Sequence, residues 1–182
     1  MEELITLVQK AQKGNREAFG EIYKLYFAKI YKYCKFNTND EDEAQDICQE
    51  TFVKAWKNIK KFDSNRENWS IQAFLFTIAR NLIIDKSRKK KDLHINEYLE
   101  IETNENFYEN IEKENNINIV KQALSKLEEI ERQIIILRYF EEMDTKQIAN
   151  ILGIKDGALR VRLHRTMEKM KQITENLYGK RN

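Results

Sequence analysis

The chain has no proline and only five glycines among 182 residues, so long stretches can remain helical without a residue that removes a backbone donor or loosens the backbone. Leucine, isoleucine, lysine and glutamate are common, and most apolar residues recur at the three- and four-residue spacing of an amphipathic helix. These features predict an all-α protein. The length suits one large domain or two small ones.

Turn signals divide the helical pattern into two groups. In the first half, helices are predicted over residues 4–13, 16–36, 41–60 and 71 to about 91. In the second half they are predicted over residues 117–127, 131–141, 145–152 and 156–177. Residues 92–116 show no sustained helical period. The pattern therefore predicts two small helical domains, residues 1–91 and 117–182, joined by a flexible linker.

The net charge of +2 conceals three blocks of different sign. Residues 1–91 carry +5, residues 92–116 carry −7 and residues 117–182 carry +4. Two basic blocks joined by an acidic strip predict two modules that face nucleic acid and a linker that does not lie on DNA. A solvated connector explains the acidic strip equally well, and the two interpretations are compatible.

Residues 144–165 have the spacing of a DNA-reading helix-turn-helix. Asp144 is a good N-cap, and Gln147 can reach back to it, so the first helix should begin at Thr145. Gly153 follows where the chain must leave this helix through positive φ. A basic second helix comes after the turn.

The second helix of this motif has two contrasting sides. Leu159, Leu163, Thr166 and Met170 should face a core, and the opposite side carries Gly157, Val161, His164 and Glu168, flanked by Arg160 and Arg165. Arginine matches guanine O6 and N7 or phosphate oxygens, and valine can contact a thymine methyl group, so this side suits a major groove. Considered by itself, this pattern also fits an ordinary amphipathic helix whose arginines are solvated.

Two helices of the first half carry further polar faces. In the helix over 41–60, Asp46, Gln49, Glu50, Val53 and Lys57 lie opposite an apolar stripe of Cys48, Phe52, Ala55 and Ile59. This face suits a basic protein element, although a hydrated helix face would look the same. In the helix from Ile71, we expect Phe74, Leu75, Ile78, Ala79 and Leu82 to pack inward, and Asn81, Asp85 and Arg88 to line another face.

Two shorter segments suit nucleic acid. Residues 86–91 place five cations in six positions, which could follow a phosphate backbone or simply solvate a helix end. The loop over 62–69 mixes amides, a cation and aromatic rings, and could hold an unstacked base.

The sequence offers no metal, cofactor or catalytic site. Cys34 and Cys48 are the only cysteines, and we expect both to be reduced, with Cys48 in the core. A structural zinc ion needs four Cys or His ligands, and His94 and His164 are far from the cysteines in sequence. No apolar run approaches twenty residues, and the N-terminus lacks a basic start followed by an apolar stretch, so a cytoplasmic protein is expected.

Three blocks resemble, in order, regions of bacterial RNA polymerase sigma factors. Residues 44–56, AQDICQETFVKAW, resemble the region that docks on the polymerase clamp. Residues 74–81, with Asp85 and Arg88, resemble the minus-10 region, and residues 137–140 through the helix-turn-helix resemble the minus-35 region. The size and two-domain layout resemble the extracytoplasmic-function (ECF) group.

The resemblance implies a transcription initiation factor without enzymatic activity or cofactor. It implies polymerase-binding roles for Asp46, Gln49, Glu50 and Val53. It implies minus-10 DNA-binding roles for Asn65, Arg66, Asn68, Trp69, Arg80, Asn81, Arg88 and Lys89, with one base flipped into the loop. It implies minus-35 DNA-binding roles for Arg160, Val161, Arg162, His164 and Arg165.

The partners implied by the resemblance are core RNA polymerase, through its β′ clamp and β flap, and promoter DNA. An anti-sigma factor, often bound to a membrane, is also implied, and the acidic linker would pass through the RNA exit path. Some residues depart from the family pattern: Gln45 replaces a glutamate, Phe74 a tryptophan, Lys155 a capping serine and Ala158 a threonine. With Lys155 there, either Asp156 caps the second helix of the motif or that helix frays.

Two other classes of protein remain as alternatives. A stand-alone helix-turn-helix regulator would bind duplex DNA by itself, but it leaves the clamp-like and minus-10-like blocks unexplained. A helical enzyme acting on nucleic acid would need metal-binding carboxylates or a nucleophile beside a base. The sequence offers neither arrangement in recognisable form.

Overall fold

The structure is a computed structural model that describes residues 2–38, 40–63, 70–93 and 119–179. The helices of the first half are α1 (Glu2–Gln12), α2 (Arg16–Asn37), α3 (Glu41–Asn58) and α4 (Ile71–Leu93). Those of the second half are α5 (residues 119–125), α6 (Glu129–Ile135), α7 (Thr145–Leu152) and α8 (Asp156–Gly179). Regular structure in the described ranges is entirely helical, which confirms the predicted fold class.

Local hydrogen bonds explain where the first helices begin. Gly14 has a φ of +93° and ends α1, and the Asn15 side chain then accepts the Ala18 N–H at 2.8 Å to start α2. Asp40 caps α3 in the same way, accepting the Glu43 N–H at 2.9 Å. These signals lie in the sequence, which is why the predicted starts of both helices agree with the structure.

By their contacts the residues form two compact units. The first comprises residues 1–97 and 146–153, and the second comprises residues 98–145 and 154–182. This grouping places α7 with the first unit, whereas the sequence-based division assigns all of residues 117–182 to one domain. The sequence-based division into residues 1–91 and 117–182 stays a prediction. The predicted linker lies outside the described residues apart from residues 92 and 93.

The core of the first unit forms where α2, α3 and α4 pack together, with α1 against α2. Its largest buried side chains include Tyr33 and Phe76, whose rings meet edge to face at 5.1 Å. Phe76 is absent from the predicted inward face of α4; of the predicted residues, Leu75, Ala79 and Leu82 are buried, while Phe74 and Ile78 are half-buried. Since α4 packs on both α2 and α3, its buried face is wider than a single stripe.

An aromatic row covers the junction of α2 and α3. Phe19 lies 5.0 Å from Trp56, and Tyr23 lies 4.6 Å from Phe52. Phe27 continues the row at 5.1 Å from Tyr23. These rings hold α3 on α2 from the side and leave the polar face of α3 in solvent.

In the second unit α6 packs on α8, and α6 continues into a π-helical turn over Ile136–Phe140. The Glu141 N–H bonds the Ile136 carbonyl at 3.1 Å, and the Arg138 guanidinium donates to the Met143 carbonyl at 2.8 Å. The helix predicted over 131–141 therefore starts two residues earlier and is regular only as far as Ile135.

Candidate polymerase and nucleic-acid interfaces

The polar face of α3 is displayed by the packing of the opposite side of the helix. Its buried stripe consists of Ala44, Ile47, Cys48, Thr51, Phe52 and Ala55. Asp46, Gln49 and Val53 are exposed and Glu50 is half-exposed, so the structure brings together all four predicted polymerase-binding residues on one accessible face. Val53, 52% exposed, adds an apolar contact in the middle of this polar surface.

Two lysines partly neutralise this face. Lys54 Nζ lies 3.0 Å from Glu50 Oε1, and Lys86 Nζ on α4 lies 3.9 Å from Asp46 Oδ2. Lys86, the first cation of the basic run over residues 86–91, lies beside an acidic residue of α3. The spacing of 40 residues gives no local signal for this pair.

The start of α3 is held by a small charged cluster. Glu41 Oε1 accepts hydrogen bonds from Tyr31 Oη at 2.7 Å and Lys35 Nζ at 2.9 Å. The bond from Lys35, followed by that from Tyr31, lowers the pKa of the Glu41 carboxyl below its usual value, and the same contact raises the pKa of the Tyr31 hydroxyl. The cluster fixes the first turn of α3, one turn before Asp46.

The predicted minus-10 residues divide between a described helix and an undescribed loop. Asn81, Arg88 and Lys89 are exposed on α4, and Arg80 is half-exposed. Ser70 leads into this helix and caps it, since its Oγ accepts the Ala73 N–H at 3.1 Å. Asn65, Arg66, Asn68 and Trp69 lie outside the described residues.

The minus-35 candidates all lie on α8. This helix begins at Asp156, after Gly153 with a φ of +67°, and the predicted starts of α7 and α8 are therefore confirmed. The Asp156 carboxylate pairs with the Arg160 guanidinium at 2.8 Å. Leu159 and Thr166 are buried as expected, and Leu163 and Met170 are half-buried.

The opposite side of α8 is open to solvent. Arg160, Val161, Arg162, His164 and Arg165 are exposed, and His164 Nδ1 lies 3.7 Å from Glu168 Oε1. A groove of about 530 Å³ runs beside this side, lined by Val161, Arg162 and Arg165 of α8 and by Glu128, Ile130 and Glu131 near the start of α6. The α8 wall of the groove carries arginines, and the α6 wall carries carboxylates. The α8 wall is therefore the one suited to bind phosphate.

The described ranges contain no cluster of three or more His, Cys, Asp or Glu side chains arranged to hold a metal ion. In the same ranges, no helix has the length and apolar character needed to cross a membrane. Cys34 and Cys48 are both buried and free, and Cys48 lies in the core as predicted.

Comparison with known families defines the class of protein. Sigma-70 region 2 matches residues 22–92, and Sigma-70, region 4 matches residues 117–170. These are the regions of a bacterial RNA polymerase sigma factor, in the order that the three sequence blocks indicated. The solved structure of CnrH in complex with the cytosolic domain of CnrY has the same fold, with a TM-score of 0.71 at 23% identity over 94% of this chain and 96% of that one.

A curated relative gives the group within this class, and a second solved structure shares the fold. The ECF RNA polymerase sigma factor SigW of Bacillus subtilis (strain 168) is 31% identical over 182 residues, which cover 93% of this chain and 96% of SigW. The sigma factor RpoE of Bartonella quintana, solved with the anti-sigma factor NepR, shares the fold at a TM-score of 0.69 and 23% identity, over 86% of this chain and 96% of that one. The chain belongs to the ECF family of RNA polymerase sigma factors, and it is a transcription initiation factor that directs RNA polymerase to promoters. The family resemblance is confirmed, and a stand-alone regulator is not favoured.

Proposed function

We propose that α3 docks this sigma factor on the β′ clamp through Asp46, Gln49, Glu50 and Val53. The observation that supports this role is their joint exposure on one face, opposite a fully packed stripe. Exposed ion pairs such as Glu50 with Lys54 contribute only about 0–1 kcal/mol, so a cationic group of the clamp can replace the lysine at little cost. Electrostatic complementarity then favours a basic clamp surface.

The minus-10 element is engaged by the loop before α4 and by α4 itself. Arg80, Asn81, Arg88 and Lys89 supply amide and cationic groups along the exposed side of this helix. The loop residues Asn65, Arg66, Asn68 and Trp69 would stack on and hydrogen-bond one flipped base of the non-template strand. We assign these contacts to the domain formed by residues 1–91.

The minus-35 duplex is read by α8. Arg160, Val161, His164 and Arg165 enter the major groove, and Arg162 lies nearer a phosphate. Arg160 already bonds Asp156, so it must exchange that partner for DNA, whereas Arg165 has no ion-pair partner within the described ranges. The domain formed by residues 117–182 also contacts the β flap, and the acidic linker of residues 92–116 occupies the RNA exit path.

Three broader properties complete the proposal. The protein acts in the cytoplasm with the polymerase, and it has no enzymatic activity or cofactor of its own. It is held inactive by an anti-sigma factor of the kind often bound to a membrane, and the Bartonella RpoE structure, solved with NepR, supports such a partner.

The decisive experiment is co-purification with core polymerase followed by in vitro transcription of a genomic library. We expect stable holoenzyme and start sites that share upstream elements. The docking variant Glu50→Arg should neither form stable holoenzyme nor direct transcription from these sites. The matched variant Glu17→Arg, which changes an exposed carboxylate on α2, should do both. Failure of the unaltered chain to bind core polymerase or to direct it to any template would overturn the proposal.

A second measurement concerns the free chain. Two basic modules separated by an acidic strip should bind promoter DNA weakly until the polymerase positions both of them. Tight, promoter-specific retardation by the chain alone at physiological salt would contradict this arrangement.

A further inference from the structure

A patch of five cations on the first unit contains none of the residues assigned above. It is formed by the end of α1, the start of α2 and the 3₁₀ turn Ile59–Lys61 that follows α3. Its members are all exposed: Lys10, Lys13, Arg16, Lys60 and Lys61. We call this group the α1–turn patch.

Hydrogen bonds of Gln12 hold the two halves of the patch together. Its Nε2 donates to the Ile59 carbonyl at 3.2 Å and also to the Phe62 carbonyl. Ile59 and Phe62 are buried, so Lys60 and Lys61 are carried on a turn that is anchored on both sides. Lys13 is next to Gln12 in sequence, which brings the α1 cations beside those of the turn.

The five patch cations make no ion pair within the described residues, whereas several other lysines of this unit do. Lys24, Lys35, Lys54 and Lys86 each lie 2.8–3.9 Å from a carboxylate oxygen. The stretches 9–17 and 59–63 hold these five cations and only two carboxylates, Glu17 and Asp63. The excess positive charge is therefore available to an external anion.

The position of the patch in the chain indicates which anion it meets. The loop over residues 62–69, which is assigned to the flipped minus-10 base, follows directly after Lys61. No exposed aromatic ring belongs to the patch, so it offers charge without a stacking platform for bases. Such a surface recognises a phosphate backbone and is indifferent to sequence.

We propose that the α1–turn patch binds the phosphodiester backbone of the single-stranded non-template DNA adjoining the minus-10 element. The inference rests on the proposed function, because it requires that element to be melted on the first unit. It adds a sequence-independent anchor to the base contacts of the loop and α4, so it stabilises the open complex without changing promoter choice.

The test compares two triple variants in holoenzyme with core polymerase. Lys13→Gln, Lys60→Gln and Lys61→Gln together remove three patch charges. Lys24→Gln, Lys29→Gln and Lys32→Gln together remove three exposed charges along α2, farther from the patch.

Binding to a template premelted at the minus-10 element is measured across salt concentrations. Counterion release at about 0.7 per phosphate contact predicts that the patch variant loses about 2 from the salt slope and on the order of tenfold in affinity. The α2 variant should change neither by a comparable amount.

Several outcomes would overturn the inference while leaving the proposed function intact. These are an unchanged salt slope for the patch variant, equal losses for both variants, or a patch variant that fails only in assembling with core polymerase, which would indicate an acidic protein surface as its partner. Replacing the bases next to the minus-10 element should leave the effect of the patch variant unchanged, and an effect that follows base identity would also contradict it. If the unaltered holoenzyme does not bind the premelted template, the proposed function itself fails.

Discussion

The Lys169 ammonium group lies 2.7 Å from Glu131 Oε2 and joins α8 to the first turn of α6. The same oxygen accepts the Glu128 backbone N–H at 3.0 Å. One carboxylate therefore caps the start of α6 and holds α8 against it. Lys169 is one turn after Arg165, so this contact helps to fix the orientation of the arginine side of α8.

We expect Glu131→Ala to destabilise the second unit by about 1 kcal/mol, the usual cost of a lost capping interaction. Glu131→Gln keeps an acceptor for the Glu128 N–H but removes the charge opposite Lys169. The decrease in the free energy of unfolding should therefore be smaller for this variant. Urea unfolding followed by circular dichroism measures both. Equal losses in the two variants would show that the cap contributes nothing.

The same carboxyl makes stability depend on pH in the acid range. Burial raises the pKa of Glu131, but the hydrogen bonds from Lys169 and Glu128 and the charges of Lys169 and Arg162 outweigh it and leave the pKa below its usual value. The contribution of this carboxylate to the free energy of unfolding is therefore complete above its unfolded pKa of about 4.3. It is lost as the pH falls through the lower pKa of the folded state. Acid titration should show a steeper loss of stability below about pH 4.3 for the unaltered chain than for Glu131→Gln.

Gly153 should be the glycine least tolerant of substitution in the helix-turn-helix. Its φ of +67° strains any residue with a Cβ, although no atom lies within 4 Å of where that Cβ would be. Gly153→Ala should therefore cost about 1 kcal/mol through the backbone alone. Gly157→Ala is the matched control, because Gly157 is helical with equally open surroundings. We expect that change to stabilise by up to about 1 kcal/mol, and thermal unfolding with the opposite order would contradict the strain argument.

Both cysteines should resist alkylation in the folded protein. Burial raises the pKa of the Cys48 thiol to about 12, and burial followed by the proximity of Cys48 raises the pKa of Cys34 as well. Because the thiolate is the reactive form, a thiol reagent at pH 8 should react only as fast as the chain opens. The control is the same reaction in denaturant, where both thiols should react at once. Rapid reaction of either thiol under native conditions would contradict the buried geometry.

Arg165→Ala should weaken initiation that depends on the minus-35 element. Loss of a bidentate arginine contact costs about 1–3 kcal/mol of discrimination, or roughly 5- to 150-fold. Lys171→Ala removes another exposed cation of α8, two turns farther along, and should have little effect. In vitro transcription on templates with intact and scrambled minus-35 elements measures the difference. Equal sensitivity of both variants to scrambling would contradict the assignment.

Asn81→Ala should impair strand opening more than closed-complex binding. The amide lies on the exposed side of α4, and in the proposed role it bonds a base that has left the duplex. Permanganate footprinting reports the unpaired thymines, and filter binding at low temperature reports the closed complex. Asn176→Ala, another exposed helical asparagine, is the control. Normal opening by the Asn81 variant would rule out this role.

The sequence predicts local features of this fold well. Asn15, Asp40 and Gly153 act on their own neighbours, and the helix boundaries at these positions agree with the structure. The polar faces of α3 and α8 also follow from spacing alone, because each helix buries a single stripe. These faces are the parts of the candidate sites that carry the family motifs.

Features that depend on a second element or on altered helix geometry could not be predicted. Phe76 is buried because α4 meets two helices, and the pairing of Lys86 with Asp46 joins residues far apart in sequence. The π-helical turn over Ile136–Phe140 takes the side chains of this last turn out of the 100° phase on which face predictions depend. The α1–turn patch likewise needs the fold, since its two halves lie more than forty residues apart.

The ring of Trp56, set against Phe19 at the edge of the docking face, gives the chain a native optical probe. The only other indole belongs to Trp69. A chain carrying Trp69→Phe would thus keep a single indole, three residues beyond Val53 on the same helix. Its emission would report changes in the surroundings of α3 in the free chain, with no label attached.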